Sequence, residues 1–215
     1  MSYKSPASYV SNFTDERLTI LAKALLQQCF ETDDDLQSDF DSGYSVGCTR
    51  FDRQKNRLKN MALEYDWLNI TDGSNRLVMN IDGAPFRFTR DDYLAPKKLT
   101  STAVSDSEAI QLEKFAQSQQ LGFDWGDEKN DNDCNITKWR FFVDVTESVE
   151  DSTRDYEIFF VGFDELDTPR CVWSLSEHAS SGIAGTGDNK PEKVPTKPAK
   201  TTLPSAAESR KLSDE

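Results

Sequence analysis

The sequence predicts an α+β protein in which one helix precedes two units of the form helix, strand, strand, strand. Two observations carry this prediction. The first unit, residues 49–89, and the second, residues 105–175, each begin with a segment of helical periodicity. Each continues with three short apolar runs separated by turn residues. We expect antiparallel three-strand meanders that pack with the helices into one compact domain of residues 13–178.

The first helix has the clearest local signals. Thr14 is a suitable N-cap, and two acidic residues follow it in the first turn. Apolar residues then recur at helical spacing and predict one buried stripe. The stripe consists of Leu18, Leu21, Ala22, Leu25 and Cys29. We expect the helix to end near Phe30, because residues 31–48 are rich in Asp, Ser and Gly and predict a loop.

The first helix–meander unit is predicted from the second helix onward. This helix is expected from Thr49 to about Tyr65, with one apolar face. That face consists of Phe51, Leu58, Ala62 and Tyr65. Strands are expected at 67–71, 76–81 and 85–89, and the Asp82-Gly83 pair between the last two indicates a tight hairpin.

The second unit repeats this order after a polar connection. Ser105 and Glu108 match a capping box at the start of the third helix, and Gly122 is a suitable stop. Leu112, Phe115 and Ala116 are expected on its buried side. Strands are then predicted at 139–145, 156–163 and 171–175, the first with clear alternation of period two.

Composition limits the environment in which the chain works. The 215 residues carry a net charge of −13, which favours solubility and disfavours nucleic acid or an anionic membrane as a partner. The four cysteines form no CxxC pair, no apolar run approaches a membrane span, and no signal peptide is recognisable, so we expect a cytoplasmic protein. Residues 1–12 are expected to be flexible, and the Lys/Pro/Ser-rich segment 179–215 to be disordered.

The sequence offers no catalytic constellation, and we predict no catalytic residue and no cofactor. His178 is the only histidine and is interpreted as an exposed spectator. The acidic runs 31–41 and 124–133 contain oxygen ligands that Ca²⁺ or Mg²⁺ would accept, but neither has the order of an EF-hand loop. Solvated loops are the preferred interpretation, although a metal-dependent enzyme stays open as a third hypothesis.

Two groups of arginines are the candidate binding residues. Arg50, Arg53 and Arg57 lie on one flank of the predicted second helix, and the order helix, basic helix, hairpin resembles that of winged-helix DNA-binding proteins. These arginines contact phosphate under that hypothesis, whereas in the alternative they pair with the chain's own acidic loops.

Arg87 and Arg140 form the second group, because each lies between aromatic residues of a predicted strand. If the meanders share a sheet, both arginines meet on one face near Phe142 and grip a carboxylate or a phosphate. The alternative is pairing with a cross-strand residue such as Asp144 or Glu157. The function we favour is a non-enzymatic adaptor or regulatory protein that binds an unknown protein partner; a nucleic-acid-binding regulator using helix 50–65 is the alternative.

Overall fold

The computed structural model describes residues 4–94, 106–121, 136–147 and 154–179. Within them, α-helices and one β-sheet alternate along the chain, which confirms the α+β class. A short 3-10 helix precedes the first α-helix, and its Pro6 and the nearby Val10 are buried although this segment is predicted to be flexible. The helices are η1 Pro6–Ser8, α1 Asp15–Asp35, α2 Gly43–Glu64, α3 Asp106–Leu121 and α4 Leu175–Ala179. The strands are β1 Leu68–Asp72, β2 Val78–Ile81, β3 Ala84–Thr89, β4 Lys138–Glu147, β5 Arg154–Phe163 and β6 Pro169–Ser174.

The six strands form one mixed sheet in the order β1-β2-β3-β4-β5-β6. Neighbouring strands are antiparallel within β1–β3 and within β4–β6, but β3 and β4 are parallel. The predicted arrangement of two meander units is therefore not confirmed, because the sheet that they form is mixed and not antiparallel throughout. The physical reason is the long connection through α3, which returns the chain to the same end of the sheet and so makes the next strand parallel.

The main core lies between the sheet and the α1–α2 pair. The five predicted stripe residues of α1 are all buried, and this prediction is confirmed. Large aromatic side chains of the sheet meet the start of α1, where the Phe13 ring lies 5.0 Å from both Trp139 and Phe160. Trp139 and Phe160 also stack on each other, with centroids 5.1 Å apart. Burial of such rings dominates the energetics of a core of this size.

The opposite face of the sheet carries a second, smaller apolar cluster. Phe142, Val161 and Phe163 are fully buried there, and the Tyr93 ring packs against Phe142 and Phe159. Because successive side chains of a strand alternate between faces, Arg140 and Phe142 lie on this face while Trp139 and Phe141 lie on the core face. The sheet is thus covered on both sides in its centre.

The boundary between the first two helices differs from the prediction. The α1 helix continues through the acidic run to Asp35, and α2 begins at Gly43 instead of after Thr49. Tertiary contacts stabilise the extra α1 turn, since Thr32 is buried and Asp33 pairs with two arginines. The α2 start is set by Ser42, whose hydroxyl accepts a hydrogen bond from the Ser45 amide.

The buried stripe of α2 also differs from the predicted one. Phe51 is partly exposed, and the side chains that face the core include an arginine and a glutamine. The stripe consists of Val46, Arg50, Gln54, Leu58 and Met61. Its spacings of four and three residues are helical, but two polar members hide it from a pattern that counts apolar residues only.

Several predictions fall outside the described residues: the Ser105 cap, the Gly122 stop, the acidic run 124–133 and nearly all of the segment 179–215. On α3, Phe115 is buried, Leu112 is half-buried and Ala116 is exposed, so the predicted buried side is wrong for Ala116. No helix in the described part of the chain has the length and apolar character needed to cross a bilayer.

Candidate functional site

Arg50 lies inside the protein, beneath the sheet edge formed by the start of β5. Its side chain is 1 % exposed and forms a salt bridge with Asp33. The guanidinium carbon also lies 4.9 Å from the ring centroid of Tyr156, within the range of a cation–π contact. Tyr156 Oη donates a hydrogen bond to Asp33 Oδ2 at 2.5 Å, and Arg154 Nη1 lies 3.3 Å from Asp33 Oδ1. Arg50 therefore joins α1, α2 and β5 and has no surface to offer to a nucleic acid.

The environment of this cluster suppresses ionisation of its neighbours. Burial, followed by the hydrogen bond to Asp33, raises the pKa of Tyr156 above its ordinary value. Burial also raises the pKa of the Cys29 thiol to about 12, against the opposing effect of Arg50. Cys29 Sγ accepts a hydrogen bond from Gln54 Nε2 at 3.2 Å. A thiol with this pKa stays protonated near neutral pH, which makes Cys29 an unreactive core residue.

The other two arginines of α2 lie nearer the surface, and each has an acidic partner. Arg53 Nη1 lies 2.8 Å from Asp35 Oδ2, and Arg57 Nη1 lies 3.2 Å from Glu64 Oε1. Lys55 pairs with Asp52 at 2.7 Å on the neighbouring flank. The positive charge that the sequence concentrates in this helix is therefore balanced locally, and Arg50, Arg53 and Arg57 do not form one exposed basic patch.

Arg87 and Arg140 come together as the sequence suggests, on the second face of the sheet. They are register partners across the parallel β3–β4 pair. Both contact a carboxylate, but it belongs to Glu108 of α3 and not to the cross-strand candidates Asp144 or Glu157. Glu108 Oε1 lies 2.6 Å from Arg140 Nη2, and Glu108 Oε2 lies 3.8 Å from Arg87 Nη1.

Glu108 and Arg140 are almost completely removed from solvent, whereas the Arg87 side chain is 19 % exposed. Glu108 is 1 % exposed and Arg140 is 4 % exposed. Burial lowers the pKa of both Arg87 and Arg140, and the Glu108 charge opposes this effect. Sequence reasoning assigned Glu108 to a capping box. Its pairing with two arginines leaves no recognisable pattern in the sequence, because the paired residues are distant along the chain.

The described residues contain no group of three or more His, Cys, Asp or Glu side chains that could hold a metal ion. In the first acidic run, Asp33 and Asp35 are instead engaged by arginines from α2 and β5. His178 lies in α4, where its ring stacks on Trp173 at 5.0 Å and its Nδ1 lies 2.9 Å from the Ser174 carbonyl oxygen. Its position is thus a structural one rather than that of an exposed spectator.

Two surface clefts accompany these clusters. The larger, of about 660 Å³, lies between residues 7–12, the β2–β3 turn and α3. The second, of about 530 Å³, is lined by Tyr93, Phe159 and His178, together with the segment from Lys4 to Pro6. The lining of the second cleft also includes Ser174, Ser176 and Glu157, and the Ser176 hydroxyl donates a hydrogen bond to Glu157 Oε1.

Exposed aromatic residues lie close together in sequence at the junction of α1 and α2. Phe40 is 96 % exposed in the connecting loop, and Tyr44 is 82 % exposed in the first turn of α2. Exposed Cys48 and partly exposed Phe51 continue the same helical face at spacings of four and three residues. We call Phe40, Tyr44, Cys48 and Phe51 the aromatic tip.

The base of the aromatic tip is ordered by its neighbours. The Phe51 ring stacks on Phe88 of β3, with centroids 5.2 Å apart and an interplanar angle of 24°. A side-chain hydrogen bond with Cys48 raises the pKa of Tyr44. Among the described residues, no ring contact supports Phe40, the outer residue of the tip. Sequence reasoning missed the tip because it treated residues 31–48 as a polar loop, although the two aromatic residues Phe40 and Tyr44, spaced four apart, were visible in it.

Comparison of the chain with models of known protein families, with curated proteins and with solved structures gave no match. The function is therefore inferred from the geometry and the charges of the chain's own residues.

Proposed function

We propose that the protein is a non-enzymatic adaptor or regulatory protein that binds a protein partner through the aromatic tip. The observation that carries this proposal is the near-complete exposure of Phe40 beside Tyr44. Leaving a phenylalanine ring in water costs the free energy that its burial would release, about 1.5–3 kcal/mol. Aromatic residues of this kind are enriched among the anchor residues of protein interfaces.

The charges around the aromatic tip define the chemistry of the partner. Residues 24–49 contain six acidic residues and no Lys, Arg or His. Two of the six, Asp33 and Asp35, are compensated by arginines. Asp34, Asp39 and Asp41 have no salt bridge among the described residues, and the last two flank Phe40 directly. We therefore propose as occupant a segment of another protein that carries basic side chains beside apolar ones.

A nucleic-acid-binding regulator has less support. Three arginines of α2 pair with carboxylates, and Arg50 is enclosed by protein. Phosphate contacts would have to displace these internal partners, which lowers the gain from each contact.

Affinity capture with the full-length chain tests the proposed interface. Phe40→Ser and Tyr44→Ser remove the exposed rings without opening the core, so the variants are expected to fold normally. A matched control is Leu63→Ser, because Leu63 is equally exposed but lies near the other end of α2. We expect a stoichiometric protein that cross-links to residues 40–51, is lost with both tip variants and is retained by the control.

Increasing salt is expected to weaken this capture, because the proposed partner carries the opposite charge. The proposal is wrong if every captured protein binds the wild type and the two tip variants equally well, or if cross-links map away from the tip.

A further inference from the structure

The second cleft, of about 530 Å³, has the volume of a small-molecule site. Glu157, Phe159 and Ser174 line it from the face of the sheet opposite the main core. They share this face because Phe159 and Ser174 are register partners and Glu157 lies two residues before Phe159 on β5. The Tyr93 ring packs against Phe159 with 4.8 Å between centroids, and the two rings are inclined by 50°. The cleft therefore combines two inclined aromatic rings with a carboxylate.

The Glu157 carboxylate is half-buried, and no cation among the described residues pairs with it. Its polar contact is the hydrogen bond from Ser176. Across the β4–β5 pair it faces a second half-buried carboxylate, that of Asp144, and like charges directly opposite each other in a sheet repel. Lys4 also lines the cleft, but its side chain is exposed and forms no salt bridge with Glu157. A cation bound in the cleft would relieve this repulsion.

The polar groups of the cleft do not match a metal ion or a primary amine. A hard metal ion needs several oxygen ligands, and no described cluster of His, Cys, Asp or Glu side chains supplies three of them. A primary ammonium ion donates up to three hydrogen bonds. The hydroxyl groups beside Glu157 are already used, since Ser174 and Ser176 bond each other and Ser176 bonds Glu157. An ammonium ion with methyl groups on its nitrogen needs no such acceptors, and it is attracted by aromatic faces.

We propose that this cleft binds an organic ammonium ion whose nitrogen carries methyl groups. The rings of Tyr93 and Phe159 contact the methyl groups, and the Glu157 carboxylate supplies the opposite charge. Both rings are half-buried, so each is held by its neighbours and still has a face toward the cleft. This site shares no residue with the aromatic tip, and the proposal does not depend on the proposed adaptor function.

Calorimetric titration of the full-length chain with choline chloride tests the site, with sodium chloride of equal ionic strength as the blank. We expect saturable binding of choline. Its neutral carbon analogue, in which a tert-butyl group replaces the trimethylammonium group, should bind at least about tenfold more weakly. Glu157→Gln and Phe159→Leu are each expected to weaken choline binding at least about tenfold. Glu165→Gln is the matched control, because Glu165 is exposed in the β5–β6 turn outside the cleft, and it should bind choline as the wild type does.

The wild type gives a second readout that does not depend on the folding of the variants. Choline is expected to shift the amide NMR signals of residues 157–159 and 172–178, which line the cleft or adjoin its lining. Binding of choline identifies a free ammonium ion as the ligand, whereas binding only of a peptide with trimethyllysine identifies a modified protein side chain. Failure of both probes to bind overturns the proposal. Equal binding of choline and its neutral analogue, choline affinity that survives Glu157→Gln, or amide shifts that map outside the cleft overturn it as well.

Discussion

At the scale of single residues, the two arginine groups show how a charged side chain can be used for structure. Arg50 occupies a position of the buried helical stripe that an apolar residue normally fills. It is tolerated because Asp33 neutralises it and because the Tyr156 ring covers it. Buried ion pairs add little net stability over apolar residues of similar size, but removing one partner leaves a charge uncompensated. This asymmetry gives a direct test.

Replacement of Asp33 by Asn is expected to destabilise the protein by about 3 kcal/mol or more, because Arg50 is left charged and buried. The adjacent Asp34→Asn variant is a matched control that should stay within about 0.5 kcal/mol of the wild type, since Asp34 is exposed. Urea denaturation measures both. Adding Arg50→Gln to Asp33→Asn should recover part of the loss; equal stability of the two single variants would contradict the assignment.

At the scale of elements, the sequence predicted the order of three helices and six strands but not η1, α4, the ends of α1 and α2 or the parallel pairing. Strand positions were recoverable because alternation and the Asp82-Gly83 turn are local signals, and β2 and β3 do pair across that turn. The last turn of α1 is held by Arg50, Arg154 and Tyr156, and these contacts come from distant sequence. Glu108, the partner of Arg87 and Arg140, lies on α3 and is also distant from them in sequence, so the sequence did not reveal this contact.

Two glycines test how tightly the elements pack. A Cβ atom on Gly162 of β5 would lie 2.8 Å from the Trp139 ring and 2.9 Å from Ile136 Cδ1, so Gly162→Ala is expected to cost about 1–3 kcal/mol. At Gly43, the first residue of α2, nothing lies within 4 Å, and Gly43→Ala should stabilise by about 0.5 kcal/mol. Thermal unfolding of both variants shows opposite shifts; a neutral Gly162→Ala would mean that the Trp139 ring can move aside.

At the scale of the whole molecule, charge is distributed unevenly between the interior and the surface. The arginines that the sequence places in helices and strands are largely used against the chain's own carboxylates. Among the described residues, the carboxylates of Asp34, Asp39 and Asp41 near the aromatic tip have no salt bridge and are exposed or half-buried. This arrangement explains how a chain of net charge −13 can contain buried cations that are neutralised by its own carboxylates.

The same excess of negative charge predicts how the fold responds to salt. Repulsion among surface carboxylates destabilises the compact state, whereas the exposed ion pairs contribute little, so sodium chloride should raise the thermal midpoint up to about 0.3 M. Replacing Asp34, Asp39 and Asp41 together by Asn removes three negative charges near the tip and should flatten this dependence. A midpoint that falls with added salt would mean that attractive ion pairs outweigh the repulsion.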